Sequence, residues 1–157
     1  MRVGFGFDSH RFVEGRPLVL CGVEVSSDRG LDGWSDADVA THALIDALCG
    51  AAAIGDIGML FPPGDEAHRG AASVGMLVDV VGRLAALGMT VNNVDITVVI
   101  EKPKLAPHVP SMRAQLAAAL SVSTDAVSVK AKTGEGMGFV GCGEGAAAFA
   151  VATVAEN

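Results

Sequence analysis

The sequence has no tyrosine, only 4% aromatic residues, and fewer basic than acidic side chains, with 11 lysines and arginines against 18 aspartates and glutamates. Proteins that bind RNA or single-stranded nucleic acid use aromatic platforms and a basic stripe. The formal net charge of -7 disfavours binding of RNA and of single-stranded nucleic acid alike, so we expect no nucleic-acid partner. A phosphorylated small molecule stays compatible with this charge, because metal ions, backbone N–H groups and a few lysines override the general field inside a pocket.

Paired cysteines and long apolar runs are also missing. Cys21, Cys49 and Cys142 are far apart and odd in number, which predicts free, buried thiols in a reducing compartment. No apolar run approaches the ~20 residues of a membrane span. Charged residues interrupt the N-terminus before the apolar segment of a signal peptide could form. We therefore expect no membrane partner and a cytoplasmic location.

The sequence does contain enough apolar residues, 50% of the total, to build a core. Its 157 residues suit one domain, 1–157, at the usual ~100–200 residues per domain. Hydrophobic periodicity predicts strands over 2–8, 18–20, 23–25, 90–101, 127–131 and 146–155, and helices over 38–53, 73–87 and 110–120. This order predicts an α+β fold with one mixed β-sheet and helices packed on one face.

Two connecting segments carry further expectations. Ser35 and Asp38 form an S-x-x-D pattern, which predicts the start of the helix over 38–53. Residues 55–70 are rich in glycine, proline and aspartate, which predicts a long loop without regular structure. Loops of this length in a small domain often act as lids or binding loops.

A set of metal ligands is the first chemical feature. Asp8 and His10 are two residues apart at the end of a predicted strand, so their side chains project from the same face. His42 lies in the helix that follows. One carboxylate and two imidazoles leave one tetrahedral position open, as in catalytic zinc sites. The same set suits non-haem Fe(II), and each of these residues also occurs without a metal.

The helix adds two acidic residues to this pattern. Asp38, His42 and Asp46 are spaced four residues apart along one helix face. A metal-bound histidine usually donates its second N–H to a carboxylate or carbonyl. We expect Asp38 or Asp46 to be such a partner, or else to be solvated. We interpret His68 and His108, in a loop and a turn, as ordinary surface histidines.

A phosphate-binding pattern follows the strand over 127–131. Lys130 and Lys132 share a strand face, and the glycine-rich turn over 133–136 comes directly after them. Glycines let backbone N–H groups approach an oxyanion closely. Glu135 offers a hard oxygen ligand to Mg²⁺. The alternatives are an ordinary turn without a ligand and, for the lysines near 102–104, solvated charges.

Five stretches together resemble one family over the whole chain: FGFDSH at 5–10, WSDADVATHALIDALCGAAAIGDIG at 34–58, FPPGD at 61–65, EKPKLAPHVPSMR at 101–113 and VKAKTGEGMGFVGCGEG at 129–145. The sequence resembles the 2-C-methyl-D-erythritol 2,4-cyclodiphosphate synthases of the non-mevalonate isoprenoid pathway. The resemblance implies a homotrimer around a central three-fold cavity, with active sites between subunits. It also implies a nucleotide substrate, 4-diphosphocytidyl-2-C-methyl-D-erythritol 2-phosphate, converted to the cyclic diphosphate and CMP by attack of the 2-phosphate on the β-phosphorus.

The resemblance also implies roles for individual residues. Asp8, His10 and His42 hold Zn²⁺ or another divalent cation, and Glu135 helps to hold Mg²⁺ or Mn²⁺ on the diphosphate. Thr133 steadies the transition state. Residues 56–58 bind the methylerythritol hydroxyls, whereas 100–106 and 131–133 form the cytidine pocket of the neighbouring subunit. The implied substrate-binding residues are Asp8, Ser9, His10, Trp34, Ser35, Asp56, Ile57, Gly58, Phe61, Pro62, Pro63, Gly64, Asp65, Ile100, Glu101, Lys102, Pro103, Lys104, Leu105, Ala106, Ala131, Lys132, Thr133, Gly134, Glu135, Phe139 and Cys142.

Three residues depart from the family pattern. Trp34 stands where histidine is common, and an indole donates a hydrogen bond but carries no positive charge. The resemblance implies a catalytic role at this position, and we expect Trp34 to contribute a hydrogen bond but no charge-assisted stabilisation. Lys132 stands where threonine is common and adds a cation near the phosphates. Cys142 replaces an arginine of the central cavity.

Three other functions fit parts of the pattern. A metal phosphodiesterase would use water in place of the internal phosphate. A non-catalytic trimer could sense an isoprenoid diphosphate, although Cys142 opposes this. An Fe(II) oxygenase fits least, because the sequence lacks the many short strands of a jelly roll.

The loss of the cavity arginine gives a first testable prediction. An isoprenoid diphosphate would lose a bidentate, charge-assisted partner at Cys142, so we expect weak or absent binding. Isothermal calorimetry with farnesyl diphosphate measures it. Tight binding of that ligand would contradict the expectation.

Overall fold

The chain, described for residues 1–156 in a computed structural model, contains seven strands. They are β1 (Arg2–Glu14), β2 (Leu18–Leu20), β3 (Val23–Val25), β4 (Arg29–Leu31), β5 (Met89–Val99), β6 (Val127–Lys132) and β7 (Gly145–Glu156). Five of them form one sheet in the order β4-β1-β7-β5-β6, and β2 and β3 form a separate hairpin. All neighbours in the large sheet are antiparallel except β5 and β6, so the sheet is mixed.

Three long helices cover the sheet. They are α1 (Val39–Ala52), α3 (Ser73–Ala86) and α4 (Val109–Leu120). Two single-turn helices, α2 (Ile57–Leu60) and α5 (Gly138–Gly141), lie in connections, with 3₁₀ turns at Glu66–His68, Ala106–His108 and Thr124–Ala126. The predicted fold class, one mixed sheet with helices on one face, is confirmed.

Helix α1 lies directly on β1 because two glycines remove the side chains that would separate them. A Cβ atom added at Gly4 would lie 1.8 Å from the carbonyl oxygen of Ala47, and one at Gly6 would lie 1.9 Å from that of Ala43. Helix α1 is buried around almost its whole circumference, as its apolar sequence predicts. The end of β1 and the first turn of α1 are thereby held together.

No long helix covers the other face of β1 and β7 within the described residues; the single-turn helix α5 lies beside Phe7 and Phe149. Val3, Phe5, Phe7, Phe149 and Val151 point outward there and are 40–67% exposed. The rings of Phe7 and Phe149 are 5.1 Å apart, so they form a continuous surface. We call these five residues the apolar strip. Contiguous apolar surface of this kind usually marks an interaction face.

Most predicted elements lie where the periodicity placed them, but four details differ. Strand β1 continues beyond residue 8, because it pairs with β7 as far as Arg11 and then with β4. The segment 55–70 is not a structureless loop, since it contains α2 and a 3₁₀ turn. Strand β4 and helix α5 were not predicted. Asp38, rather than Ser35, is the N-cap of α1, accepting the N–H of Thr41.

The three cysteines are free. Cys21 and Cys49 are buried, as predicted, but Cys142 is exposed just after α5, so the expectation of a buried thiol is wrong there. Of the helices in the described part of the chain, none has the length and apolar character to cross a membrane.

The contact between α1 and β1 is tested by Gly6→Ala. The added methyl group would overlap helix backbone, which cannot rotate away, so we expect a loss of about 3 kcal/mol in the free energy of unfolding. Gly50 lies in helix α1 and has open space where a Cβ atom would be. Gly50→Ala should therefore raise the free energy of unfolding by up to about 1 kcal/mol. Urea unfolding followed by circular dichroism measures both. Equal effects of the two changes would refute the close approach.

Candidate metal and substrate site

The three predicted metal ligands meet at one point. Asp8 and His10 project from the helix-covered face of β1, and His42 comes from the first turn of α1. Asp8 Oδ2 is 2.9 Å from His10 Nε2 and 3.0 Å from His42 Nδ1, and those two nitrogens are 3.2 Å apart. Within residues 1–156 these are the histidine, cysteine, aspartate and glutamate side chains that group closely enough to hold a metal ion.

The outer ring nitrogens of both histidines are occupied by other partners. His10 Nδ1 lies 2.5 Å from the carbonyl oxygen of Asp32, and since a carbonyl only accepts, Nδ1 carries the proton. His42 Nε2 contacts the hydroxyls of Ser35 at 3.1 Å and Ser73 at 2.8 Å. Ser73 Oγ in turn donates to the carboxylate of Asp36. His10 Nε2 and His42 Nδ1 are thus left facing Asp8.

The expectation that Asp38 or Asp46 would hold a histidine side chain is wrong. Asp38 is fully buried and accepts four hydrogen bonds, two from the turn between β2 and β3 and two from Thr41. Asp46 accepts the backbone N–H of Ile57 at 2.8 Å. Both carboxylates therefore hold backbone around the site: Asp38 joins the hairpin to α1, and Asp46 fixes α2.

The pKa values of Asp8 and His10 shift in opposite directions. Burial acts to raise the pKa of Asp8, but hydrogen bonds and charges from His10 and His42 outweigh burial and lower it to about 2. Burial acts to lower the pKa of His10, but the hydrogen bond and charge of Asp8, with the Asp32 carbonyl, outweigh it and raise that pKa. Asp8 is therefore an ionised ligand throughout the physiological range.

The donor set fits a divalent cation. Tetrahedral zinc bonds of ~2.0–2.1 Å place ligand atoms ~3.4 Å apart, and the three donor atoms here are separated by 2.9–3.2 Å. One anionic and two imidazole donors partly neutralise the ion. An ion held by these three ligands would keep a fourth tetrahedral position for a ligand from outside the chain.

A cavity of about 220 Å³ opens beside the three ligands. Its other lining residues come from the segment around Trp34, from α2 with the loop after it, and from α3: Trp34, Ser35, Ile57, Gly58, Phe61, Pro63, His68 and Met76. Six of these eight belong to the predicted substrate-binding set. His68 was interpreted as a surface histidine, and this is wrong, because it lines the cavity and packs edge-on against Phe61 with ring centroids 5.4 Å apart.

The remaining residues predicted around this cavity have other positions or partners. Ser9 faces the opposite side of β1 from Asp8, beside Phe139 in a separate shallow pocket. The side chain of Asp56 caps α2 by accepting the N–H of Met59. Pro62, Gly64 and Asp65 are exposed in the segment 61–70 after α2, which we call the rim loop.

Trp34 is bound to this rim loop. Its Nε1–H donates to the carbonyl oxygen of Asp65 at 2.8 Å, and the guanidinium of Arg69 lies 4.3 Å from the centre of its ring system. Arg69 is itself paired with Glu66 through two hydrogen bonds. The only N–H of the indole side chain is therefore engaged with the loop, so Trp34 closes the cavity edge.

A second cavity, of about 330 Å³, lies at the end of β6. Ten residues line it, and the family resemblance predicted all ten to bind the substrate or its metal ion: Ile100, Glu101, Pro103, Lys104, Leu105, Ala106, Ala131, Lys132, Thr133 and Glu135. Gly134 N–H donates to the carboxylate of Glu101 at 2.5 Å, and Thr133 Oγ1 donates to that of Glu135 at 3.1 Å.

Several predicted residues lie outside both cavities. Lys102 borders a neighbouring groove next to Pro103. Lys130 forms an ion pair with Asp95 at 2.6 Å rather than facing a ligand. Phe139 and Cys142 lie in and after α5, where both are exposed. The two cavities share no lining residue, so neither contains both the metal ligands and the residues around Lys132.

Comparisons with known proteins agree with this arrangement. The profile of the YgbB family matches residues 1–155. The 2-C-methyl-D-erythritol 2,4-cyclodiphosphate synthase of Symbiobacterium thermophilum is 59% identical over 155 residues, which is 99% of both chains. A solved 2C-methyl-D-erythritol-2,4-cyclodiphosphate synthase with CDP bound is 36% identical, with a TM-score of 0.90 over 98% of this chain and 100% of that one. Bifunctional IspDF from Campylobacter jejuni has a TM-score of 0.94 and 38% identity, over 98% of this chain but only 42% of that longer chain.

The raised pKa of His10 gives a prediction for metal binding. A metal must displace the proton of His10, so its affinity should fall at least about tenfold for each pH unit below that pKa. Asp8 contributes nothing to this dependence, because it stays ionised down to about pH 2. Titration with Co²⁺ at several pH values, followed by visible absorption, measures the slope. An affinity that is flat below neutral pH would contradict the role of His10.

Proposed function

The chain belongs to the YgbB family of 2-C-methyl-D-erythritol 2,4-cyclodiphosphate synthases, and we propose that it converts 4-diphosphocytidyl-2-C-methyl-D-erythritol 2-phosphate to the cyclic diphosphate and CMP. It is thus a lyase of isoprenoid precursor biosynthesis that acts on phosphorus–oxygen bonds. The observation that carries this assignment is the convergence of Asp8, His10 and His42 beside a cavity, in a chain that matches its relatives from end to end.

We propose that Asp8 Oδ2, His10 Nε2 and His42 Nδ1 hold Zn²⁺, and that Glu135 contributes to a Mg²⁺ or Mn²⁺ site on the diphosphate. Bound there, the two cations would polarise the β-phosphate and offset its negative charge. The chain's net charge of -7 makes this neutralisation necessary, because its acidic side chains otherwise repel an anionic substrate.

The first cavity fits the methylerythritol end of the substrate. Helix α2 presents Ile57 and Gly58 to the cavity, and Asp46 fixes that helix through the N–H of Ile57. We propose that residues 56–58 and Ser35 orient the hydroxyl groups. Phe61 and Pro63 line the same cavity, and with substrate bound they would help to exclude water, which competes with the internal phosphate as a nucleophile.

The second cavity fits the cytidine and phosphate end. Lys104 and Lys132 bring two cations to it, and a relative of the same fold binds CDP. We propose that residues 100–106 and 131–133 bind the cytidine there. Thr133 would steady the transition state through its hydroxyl, which already points toward the carboxylate of Glu135.

We propose that the active enzyme is a homotrimer around a central three-fold cavity. The two cavities of one chain share no lining residue, which fits a substrate that spans the first cavity of one chain and the second cavity of its neighbour. The apolar strip on β1 and β7 provides a surface for this association. The absence of a nucleic-acid partner and a cytoplasmic location stay predictions.

The reaction needs positioning more than proton transfer. An oxygen of the 2-phosphate forms a bond to the β-phosphorus while the bond from that phosphorus to the oxygen of CMP breaks. No general base is required, because the attacking oxygen is already anionic. Holding both ends of the substrate makes the attack intramolecular, which is worth up to about 7–11 kcal/mol in favourable cases.

The assay that tests this function uses the purified protein and the cytidyl substrate, with products identified by phosphorus NMR. We expect a cyclic diphosphate and CMP, loss of the reaction with a chelator, and its return with added metal. Asp8→Asn should lower turnover at least about 100-fold, because the variant loses its anionic ligand. Asp125→Asn changes charge equally on an exposed turn and should have no effect.

The product also separates the alternative functions. A linear monophosphate would mean that water attacks, as in a metal phosphodiesterase. Binding of an isoprenoid diphosphate without any turnover of the cytidyl substrate would favour the non-catalytic sensor.

A further inference from the structure

One short segment, residues 32–35, provides outer partners for both metal-binding imidazoles. The carbonyl oxygen of Asp32 accepts from His10 Nδ1, and the hydroxyl of Ser35 contacts His42 Nε2. Such partners set the tautomer and orientation of a metal ligand. The position of this one segment therefore affects two of the three ligands at once.

The same segment also packs against the ring of His10. A Cβ atom added at Gly33 would lie 3.1 Å from Cε1 and 3.3 Å from Nδ1 of that imidazole. Both distances are tighter than ordinary contacts of a Cβ atom, so a side chain at this position would crowd the imidazole and glycine leaves room for it. A displacement of the segment would change this spacing together with the position of the Asp32 carbonyl.

Arg16 holds the segment from outside. It lies in the turn between β1 and β2, and its guanidinium donates from Nη1 to the carbonyl oxygen of Gly33 at 2.6 Å and from Nη2 to that of Ser35 at 2.5 Å. Nη1 is also 3.8 Å from the carboxylate of Asp32. Hydrogen bonds from an ionised donor are about twice as strong as neutral ones. The Arg16 side chain is only 30% exposed, which reduces their competition with water.

We infer that Arg16 is a positioning residue for the metal centre. It binds the two carbonyl oxygens that flank Trp34 and thereby fixes the backbone that orients His10 and His42. The inference rests on the proposed function of Asp8, His10 and His42 as metal ligands. Within the described residues, the hydrogen bonds of Arg16 go to the backbone of Gly33 and Ser35 and not to Asp8, His10 or His42. Its effect on the metal centre therefore passes through residues 32–35.

The test compares metal affinity in Arg16 variants. Arg16→Met keeps the aliphatic stem and removes both donors, so we expect Co²⁺ to bind at least about tenfold more weakly, the usual effect of losing an outer-shell partner. Arg16→Lys keeps a cation that can reach one carbonyl and should lie between Arg16→Met and the wild type. Visible absorption of bound Co²⁺ reports affinity and ligand geometry without an activity assay.

Arg113 is a matched control. Its guanidinium also donates to two backbone carbonyl oxygens, those of Thr124 at 2.8 Å and Val127 at 2.7 Å, near the start of β6. Arg113→Met should lower the unfolding temperature by a similar amount, yet leave Co²⁺ affinity within about twofold of the wild type. This control separates general destabilisation from an effect on the metal centre.

Wild-type affinity in Arg16→Met, or an equal loss of affinity in Arg113→Met, would overturn the inference. If Arg16→Met does not fold, Arg16→Lys provides the test. Unchanged Co²⁺ affinity and unchanged Co²⁺ spectra in Arg16→Lys would also overturn the inference. Failure of the proposed metal centre is recognised separately, since wild-type protein and Asp8→Asn would then bind Co²⁺ equally. That result would remove the basis for the role of Arg16.

Discussion

The site depends on the close contact between helix α1 and strand β1. Gly4 and Gly6 let helix backbone rest on strand backbone, which sets the spacing between the two elements. Asp8 and His10 follow the glycines on the same strand face, and His42 lies one residue before Ala43, whose carbonyl oxygen is in contact with Gly6. Two residues of a strand and one of a helix therefore reach a common point because the elements bearing them cannot move apart.

Around this point, three side chains outside the ligand set form hydrogen bonds to backbone. Asp38 joins the β2–β3 turn to α1, Asp46 fixes α2, and Arg16 fixes the segment over 32–35. Each of these side chains holds a connection that has little regular structure of its own. The rigidity that a metal centre requires is thus supplied to loops by charged side chains outside the ligand set.

The structure brings together the three side chains that the sequence predicted as metal ligands, Asp8, His10 and His42. Asp8 and His10 follow strand alternation, and His42 lies in a strongly apolar helix, so chemistry and periodicity agree. The outer partners could not be predicted in the same way. Ser73 reaches His42 from a different helix, 31 residues along the chain, and Asp32 uses a carbonyl oxygen, which every residue has. Such contacts depend on tertiary packing, not on residue type.

Elements made of few residues were the other part that sequence reasoning missed. Helices α2 and α5 each have four residues, and their glycines favoured an interpretation as turns. His68 was misjudged for a related reason: its environment is created by a 3₁₀ turn that brings it against Phe61. A histidine in a glycine- and proline-rich stretch gives no sequence periodicity from which its burial could be inferred.

The protein has a single tryptophan and no tyrosine, and that tryptophan is Trp34, bound to Asp65 and covered by Arg69 at the edge of the first cavity. Fluorescence excited at wavelengths that indole absorbs and phenylalanine does not therefore originates at this one location. Opening of the rim loop would expose the indole to water and change its emission. The molecule thus carries an intrinsic fluorescent reporter at the entrance to its metal site, which makes loop motion observable without a chemical label.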